Sequence, residues 1–323
     1  MKNVLYLIAI LVVLVGLIAA FGPREPVDGP VTFDASKMGD NLDNYLYQEE
    51  SDIPDLVRGS QKHIIWADPG RREKTEYSIV YVHGFSATSY EIRPVPELVA
   101  DDLGANIFYT RLKGHGRDGA AMLDGSVPAW RDDMREALEI GRRIGNRVVV
   151  IATSTGATLA TLALQDEAER QGIYGLIFVS PNFALRDTFA PVLEWPFART
   201  IAPMISGKER VVGPRNSEQA KRWTLRYPTE ALAPLGALLR AVKGVEYEKI
   251  DIPTLFVFSD EDTVVSAART RTVAARWGGD VSLYPLQLQD GDDPSSHVIA
   301  GDIMSPRQTK WVARQMIDWI LNL

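Results

Sequence analysis

Ser154 sits in the run V-V-V-I-A-T-S-T-G-A-T-L-A, Val148 to Ala160, where β-branched apolar residues give way to small ones. Ala152 lies two places before it and Gly156 two places after it. Small residues at those positions permit a sharp strand-to-helix turn that lifts a serine hydroxyl above the sheet, where it can act as a nucleophile. The simpler alternative is that Ser154 only caps the helix that follows. A serine nucleophile needs a base and an acid, and behind such a turn the chain supplies first the acid and then a histidine. His297, in P-S-S-H-V-I-A-G, is the sole histidine after Ser154. Asp260, Glu261 and Asp262 follow the apolar run T-L-F-V-F in S-D-E-D-T-V-V. A buried carboxylate from that group would orient the imidazole and stabilise its protonated form.

Other chemistries have little to stand on. The chain has no Cys, which excludes disulfides and thiolate nucleophiles, and its four histidines, His63, His83, His115 and His297, show no metal-binding spacing. No metal and no cofactor is expected. G-H-G-R-D-G, Gly114 to Gly119, matches the dinucleotide expression G-x-G-x-x-G, but Arg111 to Lys113 separate it from a strand and the next helical pattern starts only near Pro128. In D-G-D-D, Asp290 to Asp293, Gly301 falls where a calcium loop needs a bidentate Glu. A net charge of −7 and an acidic pI near 5.3 remove the footprint of a nucleic-acid binder.

The elements that must carry Ser154 and its partners are legible as an alternation. Apolar runs read as strands at His63 to Ala67, Ser78 to Val82, Ala105 to Tyr109, Arg147 to Ala152, Ile173 to Val179, Thr254 to Phe258 and Val281 to Leu286. Between most of them lie helical patterns, among them Val95 to Leu103, Trp130 to Ile144, Gly156 to Ala168 and Val265 to Trp277. Strand and helix in turn imply a mainly parallel sheet with helices on both faces. Ser305, Pro306 and Gln308 predict a capping box that opens the last helix. One gap of about 70 residues, between Ser180 and Thr254, is far longer than a crossover helix requires. It predicts an inserted helical cap over about 181–252. Phe183, Phe189, Trp195, Phe197, Met204, Ile205, Trp223, Tyr227, Leu235 and Leu239 would line a pocket beneath it or form its own small core.

With 46% apolar and 24% charged residues in 323, the chain as a whole is neither disordered nor a membrane bundle. The N-terminus departs from that average. Lys2 precedes an unbroken apolar run of 18 residues, Val4 to Phe21, about 27 Å long as a helix. Residues 1–22 therefore predict a membrane anchor or a signal peptide, with Lys2 on the cytoplasmic side and the rest of the chain outside. Residues 23–60 read as a linker and surface segment, and residues 61–323 as the domain that carries the chemistry.

Several segments together resemble the α/β-hydrolase superfamily, in particular its monoglyceride-lipase, carboxylesterase and lysophospholipase-like branch, often grouped with serine aminopeptidases. They are V-H-G-F-S from Val82, R-L-K-G-H-G from Arg111, A-W-R-D-D from Ala129, A-T-S-T-G, F-S-D-E-D-T-V-V and H-V-I-A-G-D, in family order over roughly residues 60 to 323. The departures are Ala152 and Ser259 where the pattern has Gly. The resemblance implies an α/β-hydrolase fold and a triad of Ser154, Asp262 and His297, since the acid stands three residues after the position of Ser259. It also implies an oxyanion hole from the Phe85 and Thr155 backbone N–H groups, with His83 bracing the loop. The implied activity is ester cleavage through an acyl-enzyme, on a lipid-like or medium-chain acyl ester. An amidase or aminopeptidase, which would need acids such as Glu194, Glu209 or Glu218 in the site, and an acyltransferase use the same triad. A non-catalytic binding protein on this fold would be expected to have lost the nucleophile or the base.

Overall fold

The computed structural model describes the backbone of residues 2–323 and, within the first helix, the side chains at 3, 4, 6, 10, 13 and 16–21. Seven strands form one sheet: β1 (His63–Ile65), β2 (Thr75–Val82), β3 (Asn106–Tyr109), β4 (Gly145–Thr153), β5 (Ile173–Val179), β8 (Thr254–Phe258) and β9 (Val281–Pro285). Their order is β1-β3-β2-β4-β5-β8-β9; every neighbouring pair is parallel except β1 with β3. β6 (Glu209–Val211) and β7 (Arg226–Pro228) pair separately as an antiparallel ribbon.

The continuous apolar runs arise because the central strands are covered on both faces. Alternate side chains of β2 go to opposite sides: Val80 and Val82 join one buried cluster, Ile79 and Tyr81 the other. The first cluster takes in α4 (Val127–Ile144), α5 (Thr155–Ala163), α9 (Ala233–Val242) and α10 (Ala267–Ala274); the second takes in α3 (Val95–Leu103) and α11 (Thr309–Leu321). Each aliphatic side chain buried there contributes about 1.5–3 kcal/mol. The remaining helices are α1 (Lys2–Phe21), α2 (Leu42–Ser51), the short α6 (Glu167–Arg170), and α7 (Ala198–Ser206) and α8 (Ser217–Arg222) in the insertion.

Two segments differ from their sequence reading. The stretch after residue 22 does run along the surface, but it contains α2, whose Leu42 and Leu46 are buried with Met38 in the core. Its three buried residues, Leu42, Leu46 and Glu50, recur every fourth position, but one of them is charged, so the sequence shows too short an apolar pattern to mark a helix. The last helix begins at Thr309 rather than Pro306. Ser305 is drawn away from capping because its hydroxyl donates to the Val298 carbonyl at 2.5 Å and accepts the Asp293 N–H at 3.0 Å, tying down the loop that holds His297. The N-terminal reading stands apart: no helix among the described residues is long and apolar enough to cross a membrane. The expected anchor, Val4 to Phe21, lies in α1 and rests partly on side chains outside the described residues.

Candidate active site

Ser154 is the hinge between β4 and α5, at φ 51° and ψ −115°, a left-handed conformation that non-glycine residues rarely adopt. The Ser154 N–H bonds to the Val179 carbonyl, so the strained turn is held by the neighbouring strand. Gly156 allows it: a Cβ at that position would stand 2.5 Å from the Val82 carbonyl oxygen and 2.8 Å from that of His83. The side chain does not cap α5.

His297, on the loop after β9, reaches Ser154 Oγ through Nε2 at 3.1 Å and Asp262 Oδ2 through Nδ1 at 2.8 Å. Asp262, in the turn after β8, is buried, and its other oxygen accepts the N–H groups of Val264 at 2.7 Å and Val265 at 2.9 Å. Those two bonds fix the carboxylate's orientation. Asp260 instead faces solvent in a two-point pair with Arg271, and Glu261 is exposed. Burial by itself would lower the His297 pKa, but the Asp262 hydrogen bond and the charges of Asp262, Glu91 and Asp293 outweigh it and hold the imidazole above its usual value. The arrangement suits proton removal from Ser154 followed by stabilisation of the imidazolium.

Phe85 follows β2 and Thr155 holds the first position of α5, and both line the same cavity as Ser154. Among the described residues neither backbone N–H donates to another backbone group, and a first-turn N–H has no acceptor within its helix. His83 is buried beneath this loop. Its Nε2 accepts the Leu112 N–H at 3.1 Å, which leaves Nδ1 to donate to the Gly84 carbonyl at 2.8 Å. Burial presses its pKa down to about 4, so it braces the loop as a neutral ring.

The R-L-K-G-H-G and A-W-R-D-D segments serve the same loop. Arg111 and Glu50 form a buried two-point ion pair, both bonds 2.8 Å, and Arg111 also donates to the His115 carbonyl. The Lys113 N–H reaches Asp133 at 2.6 Å, while the Trp130 indole donates to the Lys113 carbonyl at 2.9 Å. Lys62 bridges Asp133 and Glu136. The His115 ring, 5.1 Å from that of His83 and 5.4 Å from that of Phe85, completes the support. Glu50 and Lys62 belong to a segment whose sequence carries no pattern pointing at the site.

Glu91 is a further residue that spacing does not reveal. It is buried, takes the Gly84 N–H on Oε2 at 2.6 Å and the Tyr81 hydroxyl at 3.1 Å, and lines the same cavity as Ser154 and His297. Burial pushes its pKa up to about 7, against the Gly84 N–H, the His297 charge and the Tyr81 hydroxyl.

That cavity, about 570 Å³, opens above Ser154 between the sheet edge and the insertion. Phe189, Ile205, Trp223, Tyr227 and Leu235 line it, together with Leu185, Val192, Leu193 and Leu232. Of the other aromatic and apolar residues of the insertion, Phe183 and Leu239 are buried, Phe183 in the main core, while Trp195, Phe197 and Met204 are exposed. Glu194, Glu209 and Glu218 lie outside the lining and pair with Lys243, Arg226 and Lys221. No cluster of potential metal ligands occurs among the described residues.

Comparison with known proteins agrees with this architecture. Residues 79–302 match the Alpha/beta hydrolase family. A thermostable monoacylglycerol lipase of Bacillus sp. (strain H-257) is 27% identical over 199 residues, covering 62% of this chain and 76% of that one. Among solved structures, a metagenome-derived lipolytic enzyme superposes with a TM-score of 0.67 at 16% identity, over 83% of this chain and all of the other. The monoacylglycerol lipase of Paleococcus ferrophilus gives 0.57 at 15% identity, over 81% and 99%. The mostly parallel seven-stranded sheet and the match over most of its length agree: the chain belongs to the alpha/beta hydrolase family.

Proposed function

We propose that this protein is a serine ester hydrolase that cleaves lipid-like or medium-chain acyl esters. The observation that carries the reading is the hydrogen-bonded series Ser154, His297, Asp262 at the floor of a largely apolar cavity. In the proposed cycle His297 Nε2 takes the Ser154 proton as Oγ attacks the ester carbonyl. The developing oxyanion is received by the Phe85 and Thr155 N–H groups, and such preorganised donors contribute about 2.7–4 kcal/mol each. Collapse of the tetrahedral intermediate expels the alcohol, which takes the proton from His297. Water, activated by the same imidazole, then releases the acid and restores Ser154.

The substrate class rests on the cavity's lining, and relatives named as monoacylglycerol lipases support it. Each acyl methylene buried there contributes up to about 0.8 kcal/mol, or roughly fourfold in kcat/KM. Across p-nitrophenyl esters, kcat/KM is expected to climb from acetate to a medium chain and level off once the cavity is filled. Amino-acid p-nitroanilides are expected to be poor substrates, because Glu194, Glu209 and Glu218 lie outside the lining and the acids within it are engaged: Glu91 by the Gly84 N–H and the Tyr81 hydroxyl, Asp187 by the Phe189 N–H, and Asp293 by Arg215 and the Ser295 hydroxyl. A preference for anilides over every ester would favour an aminopeptidase.

We also propose that α1 anchors the chain in a membrane, with the catalytic domain on the non-cytoplasmic face. The support is the sequence itself: Val4 to Phe21 is an unbroken apolar run of 18 residues, about 27 Å as a helix, near the lower limit for crossing a bilayer's hydrocarbon core. Full-length protein is expected to stay with membranes through carbonate extraction and to keep its N-terminal mass. A chain starting at residue 30 is expected to be released yet to cleave short soluble esters. A mature chain beginning near Phe21 would instead identify a signal peptide.

A further inference from the structure

The Phe85 amide is one of the two oxyanion donors of the proposed reaction, and its direction depends on the two peptide units that meet at Gly84. The Gly84 carbonyl belongs to the same unit as the Phe85 N–H, and His83 Nδ1 holds it at 2.8 Å. A planar trans peptide points its C=O and N–H in opposite directions, so the bond from His83 turns the Phe85 N–H away from the buried ring. The other unit, between His83 and Gly84, is held from the opposite side by Glu91, whose Oε2 accepts the Gly84 N–H at 2.6 Å. Glycine is a soft joint; the Ala87 N–H also donates to the Gly84 carbonyl, at 3.3 Å, but among the described residues the Gly84 N–H has Glu91 alone as its partner.

The carboxyl is itself fixed. Tyr81 donates to Oε2 at 3.1 Å, and the Tyr81 hydroxyl lies the same distance from Oγ1 of Thr153, the last residue of β4 before Ser154. A Cβ on Gly84 would meet Glu91 Oε1 at 2.7 Å and Ser154 Cβ at 3.1 Å. The missing side chain is therefore the space that lets Glu91 pack beside the nucleophile. A carboxylate in such a place is otherwise a liability, because a negative charge near a developing oxyanion opposes it.

We propose that Glu91 is a positioning residue for ester cleavage: as a hydrogen-bond acceptor it locks Gly84 and so aims the Phe85 amide at the oxyanion, a task for which its charge is not needed. This rests on the serine hydrolase reading above and adds a residue to it. A group acting only through the reach of its acceptor has a distinctive pattern of substitution. Glu91→Gln keeps an oxygen at the same distance and carries no charge. Glu91→Asp keeps the carboxyl but is shorter by about 1.5 Å, too short to hold Gly84.

The test compares wild type with these two variants on a p-nitrophenyl ester and on two inhibitors. One is a trifluoromethyl ketone, which Ser154 would convert to a tetrahedral oxyanion; the other is an unreactive alkyl ether of equal length. Glu91→Asp is expected to lose at least 30-fold in kcat with KM changed less than threefold, and to bind the ketone correspondingly more weakly while binding the ether as wild type does. Glu91→Gln is expected to restore most of kcat and of ketone affinity. The proposal is overturned if Glu91→Asp keeps kcat within twofold, if Glu91→Gln is as impaired as Glu91→Asp, or if ketone and ether affinities fall together. Wild-type protein that neither cleaves the ester nor binds the ketone would instead refute the serine hydrolase reading, so the two failures are distinguishable.

Discussion

Ser154→Ala is expected to lower kcat on a medium-chain p-nitrophenyl ester by about 10⁵- to 10⁶-fold while leaving the thermal midpoint within a degree or two of wild type. The loss is large because the hydroxyl is the only atom proposed to form the acyl bond. The stability change is small because, among the described residues, Oγ bonds only to His297 and does not cap α5. Alanine must still adopt the left-handed turn at φ 51°, but serine already bears that strain, and the Ser154 N–H bond to the Val179 carbonyl survives the exchange. Steady-state kinetics with a melting curve on the same preparation checks both halves. Retention of more than about 1% of wild-type turnover would remove Ser154 from the mechanism.

The next largest effect separates two acids that stand two residues apart. Asp262→Asn is expected to cost about 10⁴-fold in kcat, because an amide in place of the carboxylate would favour the wrong imidazole tautomer. Asp260→Asn is expected to change kcat less than about threefold, since that carboxylate is exposed and bound to Arg271. The pH profile adds a second reading. His297 must be neutral to take the Ser154 proton, so activity falls as pH drops through its pKa. Asp262 helps to hold that pKa above the usual histidine value, so the acid limb of kcat/KM is expected above about 6.5 in wild type. In Asp262→Asn the limb is expected at lower pH. An unmoved limb, or a larger loss in Asp260→Asn, would transfer the role to Asp260.

Much of the scaffold could be read in advance, because the central strands are buried on both faces and therefore appear as unbroken β-branched runs. Ile173 to Val179 and Thr254 to Phe258 coincide with β5 and β8 to the residue. Ser154 and His297 could be nominated because the chemistry demands those residue types at strand ends, whereas Asp262 stands out from Asp260 and Glu261 only through the resemblance to the family; and only the folded chain brings residues 143 positions apart within hydrogen-bond reach. Glu91, Glu50 and Lys62 left no such trace. Glu50 and Lys62 act through partners 61 to 74 residues away and Glu91 through groups seven and ten residues away, and a single acid or base in a polar stretch looks like any other surface residue until its burial is known. Ser305 shows the converse: its local pattern fits a helix cap, but tertiary bonds to Asp293 and Val298 claim the hydroxyl first.

The central claim, ester cleavage through a nucleophilic Ser154, is tested most directly by treating the protein with a fluorophosphonate and locating the adduct by peptide mass spectrometry. One adduct per chain, on the peptide holding Ser154, is expected, formed much more slowly in Asp262→Asn and absent in Ser154→Ala. Labelling of Ser154→Ala to the wild-type extent, or an adduct on any other residue of the active wild-type protein, would contradict it.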